Sequence, residues 1–131
     1  MYYNLPIPLP HSPIYKKALE IFTLSKSISQ YLVHDMSALT PDGKEHPDIY
    51  FTGDMVQKSV SLFPEIFHAE SKTFSEDKHK HAASVVYLTK ALYKNCERLE
   101  KSAHNGKEFL TLLRKELKRF RKMQHTWLLT L

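Results

Sequence analysis

The stretch LTLLRKELKRFRKMQHTWLLTL, residues 110–131, decides the fold. Leu110, Leu113, Leu117, Phe120, Trp127 and Leu131 recur by threes and fours, and Gln124 fills the one seam position that is not apolar. At about 100° per residue this spacing lays them along one stripe of a helix. Inside it lies RKELKRFRK, residues 114–122, with six cations and one acid. Lys115, Lys118, Arg119 and Lys122 fall opposite the apolar stripe, with Arg114 and Arg121 on one flank. One side of this helix docks into a core. The other offers dense positive charge, a pattern that fits a polyanion partner.

The same period recurs upstream. Ala82, Val85, Thr89, Leu92, Cys96, Leu99 and Ala103 step strictly by three and four. Ser75, followed by Glu76 and Asp77, is expected to cap this third helix, and Asn105-Gly106 to stop it, with Gly106 at positive φ. Ser12-Pro13 opens a first helix as N-cap and first helical residue. Its side Ile14, Ala18, Ile21, Ser25, Ile28, Leu32 runs to about residue 34. A second helix is expected over about 50–71 on Met55, Ser59, Leu62, Ile66 and Ala69, flanked by Val56, Phe63 and Phe67. Pro64 falls within it and predicts a kink near 60–64, with two shorter helices as the alternative. Thr40-Pro41-Asp42-Gly43 and Pro47 mark the first connection. No segment shows sustained period-two alternation. The pattern predicts an all-α, up-down-up-down four-helix bundle of helices about 30 Å long. It forms one domain over residues 1–131, with a Pro-rich arm at 1–12 carrying Pro6, Pro8 and Pro10.

Composition narrows the function. Three glycines in 131 residues argue against turn-rich β folds and glycine-cradled nucleotide sites. The net charge of +5 is uneven: residues 1–65 carry −2 and residues 66–131 carry +7. One cysteine, Cys96, excludes an internal disulfide and points to a reducing, cytoplasmic setting. No apolar run is long enough to cross a membrane, and the N-terminus lacks a signal-peptide pattern.

Eight histidines raise the question of metal binding. Lys78-His79-Lys80-His81 puts two His on different sides of a helix, each beside cations that repel a metal. The sequence therefore predicts solvated histidines, no metal centre and no cofactor. Cys96 lies on a seam and reads as a core residue. No Ser/His/Asp set, Walker loop or dinucleotide fingerprint can be assembled, so no enzyme is expected. Phe109, Phe120 and Trp127 are placed on the core side of the fourth helix. Leu129, pointing outward, joins Leu128 and Leu131 in an apolar C-terminal end that hints at association. Tyr2 and Tyr3 in the arm are read as contacts to a partner or neighbouring subunit.

The segments PIYKKALEIFTLSKSI (13–28) and RFRKMQHTWLLTL (119–131), with the acidic start of the second helix between them, resemble a family of small four-helix bundles. It includes proteins encoded by intervening sequences in large-subunit ribosomal RNA genes and the accessory variability determinant (Avd) of diversity-generating retroelements. The resemblance spans nearly the whole chain through generic bundle motifs. It implies a non-enzymatic, ring-shaped homopentamer that binds nucleic acid and associates with a reverse transcriptase. The modest net charge and acidic N-terminal half depart from the pattern of Avd-type members.

Two functions are thus expected to compete. One is a nucleic-acid-binding accessory protein contacting RNA or DNA phosphates through Arg114, Lys115, Lys118, Arg119, Arg121 and Lys122. With no Asn or Gln beside these cations except seam-facing Gln124, binding would be largely sequence-independent and salt-sensitive. The other is an oligomeric scaffold for an acidic protein surface.

Overall fold

The computed structural model describes residues 12–37, 41–102 and 105–131. They form α1 (Pro13–Asp35), α2 (Ile49–Ser71), α3 (Ser75–Ser102) and α4 (Lys107–Leu129), with no strand among the described residues. The expectations for the arm at residues 1–11, including Tyr2 and Tyr3, fall outside these, as do Thr40 and the side chain of Ala103.

The local signals act as their chemistry requires. Ser12 is extended (ψ 156°) and its hydroxyl accepts the Tyr15 N–H at 3.3 Å, just ahead of Pro13 in the first turn. α2 runs unbroken past Pro64, so the two-helix alternative does not hold. α3 departs slightly from expectation: Ser75 is its first helical residue rather than its cap, and the Ser75 hydroxyl meets His79 Nδ1 instead of a backbone amide. Gly106 has φ 82° and precedes α4, whose first carbonyl-accepted amides, from Phe109 and Leu110, point back to the Gly106 oxygen.

Each helix packs against its neighbours in the chain, and α4 closes onto α1, while the backbones of diagonal pairs stay apart. Side-chain pairs give the directions. Ser29 meets the Thr52 carbonyl and Tyr15 meets Phe63 across α1 and α2. Asn95 bonds Asp54 and His81 meets Glu65 across α2 and α3. Gln124 bonds Thr89 and Arg114 bonds Glu100 across α3 and α4. In each pair one chain rises as the other falls. The bundle is up-down-up-down.

Burial follows the seams. All six apolar-side residues of α1 are buried, as are the five of α2, and Leu110, Leu113, Leu117, Phe120, Gln124 and Trp127 of α4. Each fully buried Leu, Ile or Phe contributes on the order of 2 kcal/mol over leaving it in water. The polar seam positions are mostly satisfied internally. Gln124 donates to the Thr89 hydroxyl, which donates to the Val85 carbonyl at 2.8 Å, and Ser59 donates to the Val56 carbonyl. Ser25 Oγ is buried with no hydrogen-bond partner among the described residues.

Candidate nucleic-acid interface

The basic face of α4 exists because its seam is anchored. With Leu113, Leu117 and Phe120 wholly buried, the intervening residues must point outward. Lys115, Lys118, Arg121 and Lys122 are exposed, and no carboxylate pairs with any of them among the described residues. Like charges at i, i+3 and i+4 disfavour one another, so this face gains from a bound anion.

The structure divides the six cations read from the sequence. Arg114 is not part of the open face. It sits on the α3 side, half-buried, where its Nε donates to Glu100 at 2.7 Å and Nη1 to the Tyr93 hydroxyl at 3.3 Å. Its guanidinium also lies 5.7 Å from the Tyr93 ring centre. The Glu100 hydrogen bond, with Tyr93, holds its proton more firmly than an ordinary arginine's. Arg114 is a helix-to-helix tie. Arg119 is intermediate: largely exposed, it donates to Glu116, the carboxylate that also accepts from Lys17 of α1. The Lys17 hydrogen bond is the main reason that the Glu116 carboxyl titrates below its ordinary range.

Sequence reading passed over Lys90 and Lys94 of α3. Lys90 and Lys94 are exposed. The Thr89–Gln124 and Glu100–Arg114 contacts set the antiparallel register of α3 against α4. That register puts Lys90 level with Lys122, and Lys94 level with Lys118 and Arg119. The signal was available in the sequence, but the pairing of α3 with α4 was needed to read it as one surface.

A second cluster was also missed. Glu65 and His68, one turn apart on α2, carry Glu-x-x-His spacing that sequence reading overlooked. His81 Nδ1 lies at hydrogen-bond distance from Glu65 Oε2, and its ring centre is 5.1 Å from that of His68. His81 is thus paired rather than simply solvated. No group of three or more His, Cys, Asp or Glu among the described residues is arranged to hold a metal ion.

Cys96 is fully buried, and burial pushes its thiol up to about 12. An open cleft of about 420 Å³ beside Ile14, Met123 and Trp127 contains one carboxylate, Glu70, already engaged by the Trp127 indole. Phe120 and Trp127 are in the core as expected. Phe109 is not; it is 41% exposed and packs edge-on against Tyr31 at 5.4 Å. Leu129 is 88% exposed, and Phe67 and Phe74 are exposed near the same end of the bundle. No described helix is long and apolar enough to cross a membrane.

No family model, curated protein or solved structure matches the chain.

Proposed function

We propose that this chain is a non-enzymatic nucleic-acid-binding accessory protein that contacts phosphate backbones through the outer face of α4. The observation that carries the reading is the set Lys115, Lys118, Arg121 and Lys122, exposed and without carboxylate partners among the described residues. Neighbouring acids do not neutralise it: Glu100 is taken by Arg114, and Glu116 by Lys17 and Arg119. Such a face binds RNA or DNA with little base readout and a steep dependence on salt.

The resemblance to Avd supplies the rest of the proposal, a homo-oligomer, pentameric by analogy, that serves a reverse transcriptase. Exposed Phe67, Phe74 and Leu129 at one end of the bundle support self-association there. Light scattering that returns a mass near 15.3 kDa at micromolar concentration would remove the oligomer from the proposal.

The decisive experiment reverses Lys115, Lys118 and Lys122 to Glu in the full chain. RNA binding in a mobility-shift assay is expected to be lost while helicity and assembly are kept. Wild-type affinity and salt dependence in that variant would leave the face as solvated surface and favour the protein-scaffold reading.

A further inference from the structure

Neither residues 78–96 nor residues 117–131 contain any Asp or Glu. The first is most of the N-terminal two-thirds of α3, the second the C-terminal half of α4. Because these helices are antiparallel neighbours in the register given above, the two acid-free segments lie side by side. The result is a continuous positive surface wider than the α4 face alone. It includes Lys90 and Lys94 from α3 beside Lys118, Arg121 and Lys122 from α4, all exposed.

One aromatic stands on the α3 part of that surface. Tyr87 precedes Lys90 by three residues and Lys94 by seven, so all three share one helix face. It is 66% exposed, and no ring stacks on it among the described residues. Lys58 of α2 lies near it and is itself held by Asp54 at 2.7 Å. Tyr50 is equally exposed but differs in setting: it packs edge-on against Phe51 at 5.2 Å, near the carboxylates at the start of α2. A large ring left in water beside exposed lysines has a ready use. Its face can stack on an unpaired base while the lysines hold the flanking phosphates.

We propose that α3 forms the second half of the nucleic-acid surface and that Tyr87 makes this surface prefer single-stranded or looped nucleic acid over duplex. The inference rests on the function proposed above and specifies its ligand. Bases in a duplex are already stacked on one another and present no free face, whereas splayed bases of loops and single strands do. The lysines alone attract either form; Tyr87 distinguishes them.

The test uses the full-length protein and fluorescence anisotropy with a short single-stranded RNA and the duplex of the same sequence, each at two salt concentrations. Tyr87→Ala is expected to weaken single-strand binding roughly tenfold while leaving duplex binding unchanged, and Tyr87→Phe, which keeps the ring, to bind like wild type. Lys90→Gln with Lys94→Gln should flatten the single-strand salt slope by about 0.7 per lysine. Equal losses on both ligands with Tyr87→Ala, failure of Tyr87→Phe to retain binding, or an unchanged slope in the lysine variant overturns the proposal. If those variants behave like wild type while reversal of Lys115, Lys118 and Lys122 abolishes binding, the α4 reading stands and this one falls. Absence of any wild-type binding removes both.

Discussion

The indole nitrogen of Trp127 donates to Glu70 Oε2 at 3.1 Å, tying the last turn of α4 to the last turns of α2 across the bundle. Trp127 is 6% exposed, so its ring is core and its N–H is the polar handle that reaches the rim. Trp127→Ala is expected to cost about 3–5 kcal/mol through lost burial and the cavity left behind. Glu70→Gln, which keeps an acceptor, should cost well under half of that. Urea denaturation checks both, and an unchanged midpoint for Trp127→Ala would refute this packing.

Gly106→Ala is expected to be destabilising for two reasons that add. At φ 82° a side chain strains the backbone by roughly 1–2 kcal/mol. A Cβ built there would also lie 2.9 Å from Tyr31 Cε2 and 3.3 Å from Leu32 Cδ2, so the Tyr31 ring must shift and disturb its contact with Phe109. Gly43→Ala has the same φ sign and open space around it, so it should lose only the backbone part. Equal midpoints for the two variants would show that the Tyr31 contact is unimportant.

The bundle was legible because its seams are regular. Ile14 through Leu32, Met55 through Ala69 and Leu110 through Trp127 are buried where period 3.6 places them. Periodicity reports which side of a helix turns inward and says nothing of which helix it meets. Arg114 illustrates the gap: a helical wheel puts it on a flank, yet only the position of Glu100 on α3 turns that flank into an ion pair. Phe109 is expected on the core side because it shares the helical-wheel position of Trp127, yet in the first turn of α4 Tyr31 and solvent share it. The Glu65–His81 pair needed two helices to be brought together, as did the alignment of Lys90 and Lys94 with α4.

Stability should fall at acid pH partly through Glu116. Its carboxyl, hydrogen-bonded by Lys17, titrates below its ordinary value in the folded chain. The resulting stabilisation is complete above the unfolded-state value of about 4.3 and is lost as pH falls through the folded one. Asp54 acts in the same direction: burial is its largest single influence and pushes it up, but bonds from Lys58 and Asn95 together outweigh that. Glu116→Gln is therefore expected to give a shallower decline in urea-derived stability below pH ~4.3. A double-mutant cycle with Lys17→Met should return a coupling of about 1 kcal/mol. An acid limb identical to wild type would show that this pair does not contribute.

Cys96 is expected to resist alkylation in the folded protein. The thiolate is the reactive form, and burial, which raises the thiol to about 12, suppresses both ionisation and access. Maleimide labelling at neutral pH should proceed at the rate of opening or unfolding and accelerate sharply across the urea transition. Labelling of folded protein at the rate of a free thiol would contradict the placement of Cys96 among the packed residues of α3.

Arg114 and Lys118 should separate stability from binding. Both are cations of the same basic run, four residues apart, but Arg114 is committed to Glu100 and Tyr93, whereas Lys118 is exposed without a carboxylate partner among the described residues. Removing Arg114 strands the Glu100 carboxylate at the α3–α4 contact, so Arg114→Ala is expected to cost about 1–2 kcal/mol. Its effect on the salt dependence of nucleic-acid binding should be negligible. Lys118→Ala should do the reverse, leaving the denaturation midpoint in place and lowering the magnitude of the salt slope by about 0.7–0.9. If Arg114→Ala lowers the slope as much as Lys118→Ala, the guanidinium leaves Glu100 to meet phosphate. The ion pair would then be part of the interface rather than a tie between helices.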